Sequence, residues 1–368
     1  MINISKPLIG QEEMKAVKKV LKSGIIASGP KVKEFEDKFG RYLGVKNAVA
    51  VANGTCAIHA ALYAAGVKKG DRVLVPSFTF IASANAVLHA GAEPVFADSK
   101  PDTYNLDPAS VENELKKDLK GRIKALIAVH LYGRVCEMDA IKKIARKYGV
   151  RVIEDAAQAH GAKYNNAYAG TLGDAAAFSM YATKNMTSSE GGMVVTNSAS
   201  MAQVIRSFIN HGQEEQYYHT RIGYNYRTTD IEAAIGICQL AKLDKFNVKR
   251  RKNAAALKKK LEKYDFIILP SEEREDYHIY HQFTIRVKSG LRDSLAVFLR
   301  ENGVGVKVFY PVPVHKQPFY RNLLKKKIKL PGAEKLAKEV ISIPVHPGLR
   351  AVDIAKIISV FRKFAGRI

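Results

Sequence analysis

The chain is short of cysteine, short of acids for its bases, and without a long apolar run. Three cysteines, Cys56, Cys136 and Cys238, are scattered through 368 residues. Their spacing matches neither a disulfide framework nor a metal knuckle, so no metal site is expected and a reducing compartment is. No apolar stretch approaches the ~18 residues that a bilayer span needs. The opening MINISKPLIGQEEMKAVKKV has no signal-type apolar core, so a soluble, cytoplasmic protein is expected. There is no internal repeat and no low-complexity segment. No helix-turn-helix, zinc-finger or RNP-type motif occurs either, which argues against nucleic-acid binding.

The acids number 35 against 59 Lys and Arg, leaving a net charge of +24. Most of that excess lies in residues 241–368, with 29 bases against 12 acids. Such a field attracts anions, whether a nucleic acid or a nucleotide-linked substrate. The clusters themselves, Lys249 to Lys252, Lys258 to Lys260 and Lys325 to Lys327, are spaced like solvated helix faces. Charge alone therefore leaves a basic nucleic-acid-binding regulator open as the rival to an enzyme.

What is present is the pattern of a layered α/β protein. Hydrophobic residues make up 47% of the chain, enough for a full core in a large and a smaller domain. Helical periodicity covers residues 10–22 and 31–43, and Asn47 to Ala52 reads as a strand. Strand and helix then alternate: Arg72 to Val75, Phe80 to Ala90, Pro94 to Asp98, Pro108 to Lys120, Ile123 to His130, Met138 to Tyr148, and Val150 to Glu154. That rhythm predicts a mostly parallel sheet with helices on both faces. A helix to about Asn210, a tyrosine-rich polar loop over 211–229, and one or two long helices over 230–263 follow. Past Phe266 the expectation is strand, strand, helix, strand, with Gly305 to Tyr310 as the fourth, then Ile341 to Val345 and a last helix from Ala351. The boundary falls near 245, giving a large domain over 1–245 and a smaller C-terminal α+β domain over 246–368.

Ligands of such sheets gather beyond the carboxyl ends of the strands. Several chemically capable residues fall there. Lys184 sits in a polar loop between two apolar runs, Ala175 to Tyr181 and Met193 to Val195. Taken singly it is a surface lysine of a hairpin; partly desolvated it becomes an amine nucleophile toward carbonyls. Asp155 closes a buried strand in VIEDAAQAHGA. It could pair with a protonated ring nitrogen, ligate a metal, or cap a helix. Asn53-Gly54-Thr55 feeds a strand into a helix N-terminus, a natural phosphate seat. Phe80 could stack on a flat ring or join the core, and Ser179 could bind a phosphate or its own backbone.

The ordered set Asn53-Gly54-Thr55, Pro76-Ser77-Phe78-Thr79-Phe80, Glu154-Asp155-Ala156-Ala157-Gln158, Phe178-Ser179, Thr183-Lys184-Asn185 and Gly223-Tyr224-Asn225-Tyr226-Arg227 resembles the DegT-type sugar aminotransferases. The likeness runs from about Leu8 to Arg362. It implies the fold-type I pyridoxal-phosphate transferase fold and a transaminase that cycles the cofactor through its pyridoxamine phosphate form. By the same resemblance Lys184 would carry the cofactor and shuttle the proton. Asp155 would hold the pyridine nitrogen, and Gln158 would reach the phenolic oxygen. Phe80 would stack on the ring, and Gly54, Thr55 and Ser179 would take the phosphate. Asn225 would reach that phosphate from the other subunit of a homodimer. The implied substrates are glutamate, as donor, and a nucleotide-diphosphate keto-sugar. Asn185 after the lysine and Glu190 before the glycine pair resemble members that aminate 4-keto sugars, with the 3-keto position as the alternative. Two departures stand out: Ser188-Ser189 where the family commonly has Thr-Gly, and Val135 where it often has proline.

Overall fold

The computed structural model describes all residues from Met1 to Ile368. Two helices lead, α1 (Gln11–Ser23) and α2 (Pro30–Leu43). Pro30 opens α2 where its missing N–H costs nothing, and Gly44 ends it in the left-handed conformation (φ 74°). Then come β1 (Asn47–Val51), α3 (Gly54–Ala64), β2 (Arg72–Pro76), α4 (Ala82–His89), β3 (Glu93–Ala97), α5 (Pro108–Lys116), β4 (Ile123–Val129), α6 (Met138–Tyr148) and β5 (Arg151–Asp155). A small hairpin, β6 (Lys163–Tyr164) and β7 (Ala167–Tyr168), precedes β8 (Ala175–Ser179) and β9 (Gly192–Thr196).

The central sheet has seven strands in the order β1-β9-β8-β5-β4-β2-β3. Only β9 runs against its neighbours, antiparallel to both β1 and β8; the other pairings are parallel. Side chains alternate between two cores. Ala48, Ala50, Leu74, Leu126, Val152 and Phe178 face one, beneath α2, α5 and α6. Val49, Val51, Val73, Ile127, Ile153 and Ala177 face the other, beneath α3 and α4. A sheet buried on both faces explains why these strands read as continuous apolar runs.

The chain continues through α7 (Ala199–Phe208), a hairpin of β10 (Gln213–Glu215) and β11 (Tyr218–His219), and the paired helices α8 (Asp230–Leu240) and α9 (Leu243–Leu261). Thr229 starts α8 with a capping box to Glu232. Asp230 reaches back to accept from the N–H groups of Gly29 and Val32, 2.9 Å each, and so ties α8 to the start of α2. The remainder holds β12 (Ile267–Ile268), β13 (Asp276–Tyr277), β14 (Phe283–Val287), α10 (Arg292–Glu301), α11 (Pro318–Leu324), α12 (Pro331–Glu339), β15 (Val340–Ile343) and α13 (Ala351–Ala365). A third core gathers Leu257, Phe283, Ile285, Leu299, Ile341 and Phe361, with Ile2 from the other end of the chain.

Three local expectations are corrected. The helix expected from Phe80 begins at Ala82, leaving Phe80 on the turn. Gly305 to Tyr310 is not a strand; it makes one isolated bridge, Lys307 to Ser342, next to the bridge of Val304 to Ile2. The N-terminus occupies one side of it, with Gly305 N–H donating to Ile2 O (2.8 Å). Pro311 and Pro313 bar its extension. The helices α11 and α12 lie in a stretch for which no element was expected.

Candidate active site

A cleft of about 500 Å³ opens at the carboxyl edge of the sheet. Most of its walls follow from where a strand ends. Asn53, Gly54 and Thr55 come after β1, Thr79 and Phe80 after β2, Asp155 and Gln158 at and after β5, and Ser179 and Lys184 at and after β8. Seven of the eight site residues read from the sequence therefore meet in one place. The eighth does not: Asn225 is exposed, pairs with Asn210, and stands outside the cleft of its own chain.

The N-terminus of α3 forms one end of the cleft. Asn53 caps it, its side chain accepting from Cys56 N–H at 2.9 Å, which leaves the first N–H groups pointing outward without intrahelical acceptors. A Cβ on Gly54 would lie 2.8 Å from Ser179 Cβ, so only glycine lets the helix terminus and the Ser179 hydroxyl share one cradle. Backbone donors, a positive dipole end and a hydroxyl make a seat for a phosphate dianion.

Asp155 lies at the middle of the cleft, 5% exposed. Ser83 donates to its Oδ2 at 2.7 Å and Ala157 N–H to its Oδ1 at 3.1 Å, so the carboxylate plane is held from both sides. Behind it, Glu154 is wholly buried and accepts from His130 Nε2 (2.8 Å) and the N–H groups of Gly170, Leu172 and Gly173. That pins the strand end. Gln158 Oε1 accepts from Tyr132 N–H at 2.8 Å, while its amide donates to the Tyr310 hydroxyl at 3.3 Å. Phe80 is 56% exposed at the rim, a large ring with one face uncovered.

Lys184 is half-buried and open toward the cleft. Desolvation pulls its amine down from the usual lysine range to about 8, and the negative charge of Asp155 opposes that fall without reversing it. A usable share of the amine is therefore uncharged near neutrality. The loop beyond is shaped by the departure at Ser188-Ser189. Ser188 is buried and donates to Glu190 O, and Ser189 stands at φ 82°, a conformation that suits glycine better. Val135, the other departure, is a core residue 3% exposed.

Sequence reasoning missed two members. Ser83, which orients Asp155, looked like any serine in a small-residue helix. Tyr310, which meets Gln158 and lies 6.0 Å from the Phe80 ring, comes from the segment misread as a strand. The arrangement fits pyridoxal phosphate: a phosphate cradle only glycine permits, a fixed buried carboxylate, an uncovered aromatic face, and an amine of lowered basicity, in one cleft of suitable size. No group of His, Cys, Asp and Glu is arranged to hold a metal ion. No helix is long and apolar enough to cross a membrane.

Known proteins agree with this geometry. A "Pleiotropic regulatory protein" of Geobacillus stearothermophilus is 42% identical over 361 residues, covering 96% of this chain and 95% of that one. The dTDP-3-amino-3,6-dideoxy-alpha-D-galactopyranose transaminase of Aneurinibacillus thermoaerophilus is 37% identical over 355 residues, covering 96% and 95%. Among solved structures, S. venezuelae DesV in complex with a ketimine intermediate superposes with a TM-score of 0.92 at 37% identity, covering 97% of this chain and 95% of that one. Residues 7–362 match the model of the DegT/DnrJ/EryC1/StrS aminotransferase family. The chain belongs to that family of pyridoxal-phosphate-dependent sugar aminotransferases.

Proposed function

We propose that this enzyme carries its pyridoxal phosphate on Lys184, takes nitrogen from glutamate, and delivers it to the 4-position of a nucleotide-linked keto-sugar. The observation that carries the reading is the convergence, in one cleft, of a lysine of lowered basicity, a buried oriented carboxylate and a helix terminus fitted for phosphate. When bound, the cofactor supplies an electron sink that lets the nitrogen-bearing carbon lose a proton.

The chain's own residues do the rest. Gly54, Thr55 and Ser179 would hold the phosphate. Asp155 keeps the ring nitrogen protonated, which its hold on both oxygens prepares it to do without reorganisation. Gln158 offers its amide to the phenolic oxygen, and Phe80 covers the ring. Lys184 would hold the cofactor in this cleft, and its Nζ would be the group that accepts and returns the proton. The amine's lowered basicity suits it to this task, because it can both accept and return a proton near neutral pH.

The working unit is a homodimer in which Asn225 of one protomer completes the phosphate site of the other. Its exposure, its absence from the lining of its own chain's cleft, and the neighbouring exposed Tyr217, Tyr218 and Ile222 support that reading. The three unpaired cysteines suit a cytoplasmic enzyme. The excess of bases over acids draws in the diphosphate of the keto-sugar substrate. The regulator's name borne by the Geobacillus relative does not alter this: the present chain keeps the lysine, the carboxylate and the phosphate seat together.

The 4-position rests on the loop Asn185 to Gly192, which borders the lysine and limits how a sugar ring can present its carbonyl. A carbonyl must come within ~3–3.5 Å of the amine, so moving it one carbon round the ring demands another pose. The Aneurinibacillus relative, named for a 3-amino sugar, favours the 3-position instead. The deciding experiment loads the enzyme with pyridoxamine phosphate and supplies matched 3-keto and 4-keto nucleotide sugars. NMR of the amino-sugar should show nitrogen at the 4-position; turnover of the 3-keto compound alone would assign the other carbon.

A further inference from the structure

Directly after Lys184 the chain carries an asparagine whose side chain is wholly inside the protein. Asn185 is 3% exposed, and its amide is held at both ends. Its Nδ2 donates to Asn247 Oδ1 of α9 at 2.8 Å, and its Oδ1 faces His281 Nδ1 at 2.9 Å. Asn247 is 1% exposed and donates in turn to the backbone carbonyl of His160 at 2.8 Å.

These bonds have a forced direction. A backbone carbonyl can only accept, so Asn247 must point its NH₂ at His160 O and its oxygen at Asn185. Asn185 must then point its NH₂ at Asn247 and its oxygen at His281. An amide oxygen can only accept, so the His281 proton lies on Nδ1. The other ring nitrogen faces Gln282 Nε2 at 3.5 Å, where it accepts. The bonds thus fix the proton on Nδ1, and the charge of the ring is set by its surroundings. The segment that bears it is anchored independently, since Arg250 of α9 donates to the carbonyls of Tyr280 and His281 at 3.3 and 3.1 Å.

The charges around this imidazole all oppose its protonation. Burial lowers its pKa well below the usual histidine range, and Lys184, Arg250 and His160 add to that in this order. His160, behind the same loop, is likewise pushed down, to about 3, by burial and by Lys184. On the other side of Lys184 stands Asp155.

We propose that Asn185 is a positioning residue for Lys184: clamped between Asn247 and His281, it fixes the backbone that bears the lysine and gives His281 an uncharged acceptor where a carboxylate would draw a second proton onto the ring, so that no second cation forms beside the amine. The proposal rests on Lys184 being the cofactor-bearing lysine. Nothing in the general chemistry of transamination requires it. It explains why a residue 96 positions away in sequence is hydrogen-bonded to the neighbour of the reacting lysine.

The test compares Asn185→Asp, His281→Gln, their combination, and His281→Leu. An aspartate at 185 still accepts from His281, but its negative charge stabilises the imidazolium and brings its titration into reach. The expected result is an additional acid-side ionisation near pH ~6–7, absent from the unmodified enzyme. It should appear both in kcat and in the absorbance of the bound cofactor. The double variant, whose glutamine donates but cannot titrate, should lose it. His281→Leu should lower kcat by at least ~10-fold at little-changed KM, with His281→Gln recovering most of that loss. A profile for Asn185→Asp like that of the unmodified enzyme, or an ionisation that persists in the double variant, overturns the proposal. Should Asn185→Asp not fold, equal activity of the leucine and glutamine variants overturns it. Failure of the underlying reading looks different: borohydride would then label no Lys184 in the unmodified enzyme.

Discussion

Replacing Asp155 by asparagine separates two steps that a general loss of structure would damage together. In the native cleft burial lowers the Lys184 amine from 10.5 to about 8, with the Asp155 charge pulling the other way. At pH 7 a lysine at 10.5 is uncharged about once in ~3000, and one near 8 about once in ~10, a gain of ~300-fold in reactive amine. Asp155→Asn removes the opposing charge, so the amine falls further and its uncharged share at pH 6–7 grows. Capture of pyridoxal phosphate by the cofactor-free variant, followed as absorbance after mixing, should be faster than in the native protein at pH 7, and the gain should be larger at pH 6. Turnover should nevertheless drop by at least ~100-fold, because a neutral amide cannot keep the ring nitrogen protonated. The asparagine oxygen can still accept from Ala157 N–H, and the Ser83 hydroxyl can turn to accept from the new NH₂, so the side chain has partners and the strand end stays in place. Capture that slows with turnover would refute the sign of the coupling. Capture that in the native protein needs pH near 10 would refute the desolvated lysine itself.

Three further outcomes follow from the cleft. Gly54→Ala drives a Cβ toward Ser179, 2.8 Å from its Cβ, and should weaken pyridoxal phosphate binding by at least ~10-fold while α3 still forms, as titration and circular dichroism would show. Ser189→Gly should relieve the left-handed backbone at φ 82° and raise stability by about 1 kcal/mol in thermal unfolding; a loss would mean the side chain is needed. Mixing inactive Lys184→Ala with inactive Asn225→Ala protomers should restore part of the activity once subunits exchange, because one intact site can form from two broken chains.

How much of this was legible beforehand depended on the range of each interaction. The sheet was legible because strands buried on both faces write apolar runs into the sequence, as in Ile123–Val129 and Ala175–Ser179. The cleft was legible because seven of its residues lie at or just after the end of a strand, so Asp155 and Lys184 carry their position in their local context. Ser83 was not, since a serine in the helix Ala82–His89 announces nothing until Asp155 is seen 2.7 Å away. Gly305 to Tyr310 looked like a strand by composition, yet Ile2 and two prolines decide otherwise, and the first of these lies at the far end of the chain. The link from Asn185 to His281 joins two segments with no periodic signal between them. Asn225 could be singled out only by resemblance, because nothing in one protomer brings it to the cleft.

The claim on which the rest depends is that Lys184 is the lysine that holds the cofactor. Reduction of the purified enzyme with borohydride, followed by peptide mass mapping, tests it with no assumption about the sugar. The account predicts a single pyridoxyl-phosphate adduct, on the peptide containing Thr183-Lys184-Asn185, and its absence from Lys184→Ala. An adduct on another lysine, or none after incubation with pyridoxal phosphate, would contradict it.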